Sequence, residues 1–219
     1  MIPPAIVEDR VADARLAKEA GIRRDLRAMG LAYPPRGVYL RGLKRERELE
    51  VWVEGASGRY RLFRTYPVRA MSGDLGPKRR EGDRQAPEGF YVVNRFNPRS
   101  RFLLSLGLDY PNRRDRARGE ARPGGDIFIH GKEASIGCLA MGDEAIQEIY
   151  LLALDARRKP VAVHVFPGRM HDAGWRELSR TAPAELVRYW SELRPGYLQF
   201  ERTRRVPEVR VVDGRYVLR

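Results

Sequence analysis

DIFIHGKEASIGCLAMGDEAIQEIYLLA, residues 126–153, decides how this 219-residue chain is read, because it holds the only cysteine and sets a histidine eight positions before it. Ile127, Phe128 and Ile129 form a short apolar run of the kind that makes a buried strand. His130 is therefore expected at the strand's end, where side chains commonly face a cleft. Ser135, Gly137 and Cys138 make a tight turn of small residues. Beyond it Ile146, Ile149, Tyr150 and Ala153 recur at helical spacing, with Asp143 and Glu144 where a helix N-terminus favours negative charge. A cysteine is a nucleophile as its thiolate, so the stretch predicts that His130 and the helix N-terminus hold Cys138 partly ionised near neutral pH. The same residues also fit a blander reading, in which the cysteine is a small buried hydrophobe and the histidine an ordinary polar residue. His164, inside a strand pattern, and His171, in a loop, read as structural.

Composition bounds the partners. At 42% hydrophobic the chain can bury one substantial core with at most a small appendage, and no apolar run reaches membrane-spanning length. The opening MIPPAIVEDRVADARLAKEAG lacks the uninterrupted apolar centre of a signal peptide, so export is not readable from it. One cysteine leaves no intrachain disulfide, and no Cys/His cluster has metal-site spacing, so neither a metal nor a cofactor is expected. The formal net charge of +13 favours a polyanion, whether nucleic acid, anionic lipid or an acidic cell-wall polymer. Arginine-rich solvated faces give the same charge with no partner at all.

Outward from the central stretch, residues 7–29 are charge-rich with Val7, Val11, Ala14 and Leu26 among the apolar positions and Gly30 as a stop, which predicts a helix or helical pair outside the core. VYLRGL, LEVWV and YRLFRTYPV read as a β-meander, the last two joined by the glycine-bearing EGASGR. MSGDLGPKRREGDRQAPEGFY is broken by glycines and prolines into a long connection. It carries no GxxxxGK(S/T) and no strand-to-helix context, which argues against a nucleotide loop. Residues 90–96 and 101–106 resume strand character around an Asn97-Pro98 turn, and Tyr110-Pro111-Asn112 opens a polar loop reaching Gly125. Residues 161–166 read as a β-branched strand, 184–193 as an amphipathic helix, and Asp213-Gly214 as the turn of a C-terminal hairpin.

IHGKEASIGCLAMGDEAIQEIY resembles the active-site signature of the L,D-transpeptidase (YkuD) catalytic-domain family, in its YafK-like branch. The likeness extends through LFRTYPV, SGDLGPKRREGDRQAPEGFY, NPRSR, DYPNRRDRA and GGD, covering roughly residues 38–170. The resemblance implies a mixed α+β, mainly β fold with a β-sandwich-like catalytic core over residues 36–170. Residues 1–35 would then be an N-terminal helical extension, and 171–219 a C-terminal extension of helix and β-hairpin.

It also implies a cysteine acyltransferase that acts on peptidoglycan stem peptides at meso-diaminopimelate, in the periplasm or at the cell wall. Cys138 would be the nucleophile and His130 the base, oriented by the backbone carbonyl of Gly131. Ser135 and Gly137 fill the small positions before the cysteine, and amides near Cys138 would form the oxyanion hole. Tyr66, Lys78, Tyr110, Asn112 and Asp115 are candidates for gripping a zwitterionic, carboxylate-rich substrate. Where the broad family reads (S/T)HGC and then Arg or Asn, this chain has Ile136 and Ala140. That leaves a hydrolase cleaving the bond between diaminopimelate and a lysine of an attached lipoprotein as the alternative reaction. A non-catalytic murein-binding module is the alternative of another class. A nucleic-acid binder is not expected, since no recognised motif accompanies the charge.

Overall fold

The computed structural model describes residues 9–219. Among them eight strands form one sheet: β1 (Val38–Leu43), β2 (Glu48–Glu54), β3 (Tyr60–Pro67), β4 (Gly89–Ser100), β5 (Leu103–Leu108), β6 (Phe128–His130), β7 (Leu139–Ala140) and β8 (Ala162–Phe166). Their spatial order is β3-β2-β1-β8-β4-β5-β6-β7, and a separate hairpin joins β9 (Val209–Val212) to β10 (Arg215–Leu218). The helices are α1 (Arg10–Ala28), α2 (Arg113–Arg116), α3 (Asp143–Asp155), α4 (Asp172–Thr181) and α5 (Ala184–Thr203). This is the expected mixed α+β class, with ten strands and five helices among the described residues. No helix among the described residues is long and apolar enough to cross a membrane.

β1 and β8 read as nearly continuous apolar runs because both faces of the sheet are covered where they lie, in parallel pairing with Leu40 opposite Val163. Alternate residues go to opposite faces. Val38, Leu40, Val163 and Val165 join the core beneath α3, whose Ile146, Ile149 and Leu152 are fully buried. Leu43 and Phe166 meet α5 on the other face through Trp190, Leu193 and Tyr197. Each large apolar side chain so buried contributes about 1.5–3 kcal/mol. β4 is shared between the two halves of the sheet: Gly89 to Val92 pair with β8, and from Val93 onward the strand pairs with β5.

Several expectations need correction. Residues 10–28 form one helix, capped by Asp9 and closed by a Schellman turn at Gly30 (φ 67°), with Leu31 N–H donating to Leu26 O at 2.9 Å; the Val7 end of the expected helix lies outside the described residues. The helix is not outside the core. Ala14, Ile22 and Leu26 share the cluster of α3, while Lys18 pairs with Glu144 and Arg15 reaches Asp155 at 2.5 Å. Those charges, set beside the buried stripe, hid it in the sequence. At Asn97-Pro98 the strand does not turn but continues to Ser100, its ladder slipping register between the two so that the proline needs no partner. The polar loop after Tyr110 contains α2, and α4 was not foreseen because DAGWRELSRT carries few apolar residues. α5 runs through Pro195 to Thr203, beyond the expected 193.

The long 68–88 connection is anchored at its far end by a buried ion pair. Lys44 Nζ lies 3.3 Å from Glu88 Oε1 and donates to Gly76 O at 2.8 Å and Ala86 O at 2.9 Å. Glu88 accepts from the Gly76 amide and from Trp190 Nε1, both at 2.7 Å. The Lys44 ammonium and the Glu88 carboxylate are thus both satisfied, as burial requires.

Candidate active site

β6 and β7 are parallel neighbours, with Ile129 opposite Leu139 and His130 opposite Ala140. The 131–138 turn that joins them returns the chain, so Cys138 comes back beside the start of β6. There the Phe128 N–H donates to Sγ at 3.3 Å, and the thiol donates to Asp126 O at 3.7 Å. His130, buried at the end of β6, donates from Nδ1 to Gly131 O at 2.6 Å, which leaves Nε2 as the basic nitrogen. Phe102 packs on the imidazole with ring centroids 4.4 Å apart.

Two glycines make this geometry possible. A Cβ on Gly131 would fall 2.6 Å from Phe102 O and 2.7 Å from Asp143 Oδ1, so no side chain fits there. Gly137 takes φ 81°, a left-handed backbone that favours glycine. Its amide donates to Ser72 Oγ at 2.8 Å, and the Cys138 amide donates to Ser135 Oγ at 3.1 Å. Ser135 Oγ donates in turn to Cys138 O at 2.7 Å. The amides expected to be free for an oxyanion are therefore both engaged by serine oxygens.

The electrostatics also depart from expectation. Burial raises the Cys138 thiol above its ordinary value and the Asp126 charge raises it further, while the Phe128 N–H and the Lys78 charge oppose both. Burial lowers His130, against the bond to Gly131. At neutral pH both shifts favour a neutral thiol and a neutral imidazole, the opposite direction from the partly ionised cysteine expected from the sequence. The helix cannot supply the missing help, because β7 intervenes and α3 begins only at Asp143.

The structure sends the substrate-binding candidates to different places. Lys78 lines a cleft of about 250 Å³ with Arg84, Gly125, Asp126, Ile136 and Gly137, beside the cysteine turn. Its ammonium is held by Asp83 at 2.6 Å. Tyr66 lines a separate cavity of about 300 Å³ at the start of α3 and donates to Glu148 at 2.6 Å. Tyr110 donates to Pro123 O at 2.9 Å. Asn112 and Asp115 form the capping box of α2, and Asp115 is buried against the Tyr91 hydroxyl. The hydrogen bonds of these last three are spent inside the fold. A larger cleft of about 650 Å³, between α2, α5 and the hairpin, does not touch Cys138. His164 is buried on β8 and His171 caps α4, accepting from the Gly174 amide at 3.2 Å.

Sequence reasoning missed Ser72 and Phe102. Ser72 lies 65 residues from Gly137, and only its position in a turn-forming Ser-Gly pair marks it. Phe102 carries no local signal.

Residues 43–163 match the family model described as the L,D-transpeptidase catalytic domain, YkuD. The chain is 40% identical over 186 residues to YafK of Escherichia coli (strain K12), whose name marks it as an unproven L,D-transpeptidase; the match covers 83% of this chain and 73% of that one. A mutant form of the helical cell shape determining protein Pgp2 from Campylobacter jejuni is 25% identical with a TM-score of 0.49, over 66% of this chain and 53% of that chain. Bdellovibrio bacteriovorus Bd1075 is 21% identical with a TM-score of 0.45, over 77% of this chain and 64% of that chain.

Proposed function

Because the chain belongs to the L,D-transpeptidase (YkuD) catalytic-domain family, whose members act on peptidoglycan, we propose that it is a cysteine acyltransferase working at meso-diaminopimelate in stem peptides. Cys138 Sγ attacks the carbonyl carbon, His130 Nε2 takes the thiol proton and returns it to the departing amine, and a thioester remains on the enzyme. A second amine or a water then attacks the thioester and frees Cys138. What supports this reading is the parallel β6–β7 pair, in which His130 lies opposite Ala140, two residues after Cys138, with Nδ1 donating to Gly131 O at 2.6 Å. That bond fixes the tautomer with its lone pair on Nε2. The neutral resting pair suits a mechanism in which the proton moves as substrate binds, rather than a standing thiolate.

Hydrolysis of the bond between diaminopimelate and a lipoprotein lysine is the second reading. What favours it is position 140, where the broad family's Arg or Asn is here an alanine buried in β7 with no side chain to hold an acceptor peptide. Transfer and hydrolysis share the acyl-enzyme and differ in the nucleophile that reaches it. Either reaction places the protein where murein is, in the periplasm or at the cell wall. Mass spectrometry of sacculi digested after incubation with the protein, with and without an added amine, separates the two. Products of neither kind, or products that persist in Cys138→Ala, sink the enzymatic reading in favour of a murein-binding module.

A further inference from the structure

Ser72 joins three parts of the molecule through one hydroxyl. The connection leaving β3 first bridges β7, where the Ala140 amide donates to Ala70 O at 3.0 Å. Two residues on, Ser72 Oγ accepts from the Gly137 amide at 2.8 Å and donates to Arg84 O at 2.7 Å. The same connection then passes close over the turn, with Gln85 O 3.3 Å from where a Cβ on Gly137 would stand.

Two serines therefore sit on the amides of Gly137 and Cys138, but they are not equivalent. Ser135 closes a local ring on Cys138 itself, bonding both its N–H and its carbonyl. Ser72 arrives from a distant loop and is half-buried. Its oxygen lies 2.8 Å from the amide, within the roughly 2.7–3.1 Å that a donor keeps from an oxyanion. A buried N–H needs a partner in the resting protein, and the hydroxyl supplies it without a water.

We propose that Ser72 is a latch on the oxyanion hole: its hydroxyl oxygen holds the place on the Gly137 amide that the substrate's developing oxyanion takes over during acylation. When Sγ bonds to a carbonyl carbon, the C=O π pair moves onto oxygen, and the Gly137 N–H exchanges Ser72 Oγ for that oxygen. Ser72 keeps its own donation to Arg84 O. It is a positioning residue that acts through Gly137. The proposal rests on the acyl-transfer reading of Cys138.

Two reagents distinguish the latch from simple access. With p-nitrophenyl acetate, Sγ forms a C–S bond through an oxyanion, p-nitrophenolate leaves with the C–O pair, and His130 receives the thiol proton. Iodoacetamide alkylates the same sulfur by displacement of iodide and forms no oxyanion. Ser72→Ala is expected to raise the ratio of acylation to alkylation rates at Cys138 by about three- to tenfold, the worth of one hydrogen bond. Ser72→Thr, which keeps a hydroxyl, is expected to stay near the wild-type ratio. A ratio that falls or does not change in Ser72→Ala overturns the latch, and both rates rising together assigns Ser72 to access alone, which overturns it as well. If Cys138 of the wild type is alkylated but never acylated, the acyl-transfer reading fails and takes the latch with it. Should Ser72→Ala not fold, a crystal structure of the wild type carrying a peptide-aldehyde hemithioacetal on Cys138 decides. The adduct oxygen is expected on the Gly137 amide with Ser72 displaced, and Ser72 still bonded to that amide overturns the proposal.

Discussion

His130 Nδ1 lies 2.6 Å from the carbonyl oxygen of Gly131, its own neighbour in the chain. That contact needs the peptide after the histidine to turn back sharply, and only a residue without Cβ fits the space between Phe102 O, Asp143 and Ile146. Gly131→Ala is therefore expected to cost about 1–3 kcal/mol by overpacking. It should also shift the imidazole off its carbonyl, so that alkylation of Cys138 loses its dependence on His130. A variant that unfolds at the wild-type denaturant midpoint, with wild-type thiol kinetics, contradicts this.

Burial, with Asp126 adding to it, raises Cys138. In free protein, iodoacetamide alkylation should thus rise with pH to a midpoint above the ordinary ~8.5. Asp126→Asn is expected to lower that midpoint by removing a repelling charge. The raised thiol has a stability consequence of definite sign: the folded form holds its proton more tightly than the unfolded one. Its contribution is complete below the unfolded value and is lost as pH rises through the folded value. A midpoint below 7 would falsify the neutral resting pair.

Lys44 and Glu88 are almost wholly buried together. Removing one charge strands the other, so Lys44→Met should destabilise the fold by about 3–5 kcal/mol in urea unfolding. Adding Glu88→Gln should recover part of that loss, since no unpaired ion remains. If the single variant stays within about 1 kcal/mol of wild type, the pair is less confined than its burial indicates.

His164 sits edge-on to Tyr39, Phe90 and Phe166, with Nδ1 unpartnered. Burial, with the Arg41 charge adding to it, lowers its pKa to about 3. Between that value and the unfolded ~6.5 the unfolded chain alone takes up the proton. Stability present above ~6.5 therefore falls by roughly 1.4 kcal/mol per pH unit as pH drops toward the folded value. His164→Phe, which suits the aromatic surroundings, should flatten the pH dependence between about 6.5 and 4 by up to one proton. An unchanged slope in acid denaturation would assign that proton uptake elsewhere.

What was readable from the sequence followed local period and turn chemistry. The continuous runs of β1 and β8, the strand ending at His130, the helix from Asp143 and the Asp213-Gly214 hairpin all declare themselves within ten residues or so. What was not readable depends on contacts across the chain. Ser72 reaches Gly137, Phe102 reaches His130, and α1 hides its buried stripe among charges whose partners lie on α3. The raised thiol belongs to the same class, because burial is a property of the assembled fold and carries no motif.

β7 is only two residues long and is the last strand of its side of the sheet. Its outward backbone is already taken, since Ala140 O accepts from the Arg69 amide at 2.8 Å and the Ala140 amide donates to Ala70 O at 3.0 Å. An open edge beside Cys138 would invite any extended peptide to add itself as a further strand. With that edge sealed by its own chain, β7 offers no free ladder at Ala140 to which an extended peptide could add.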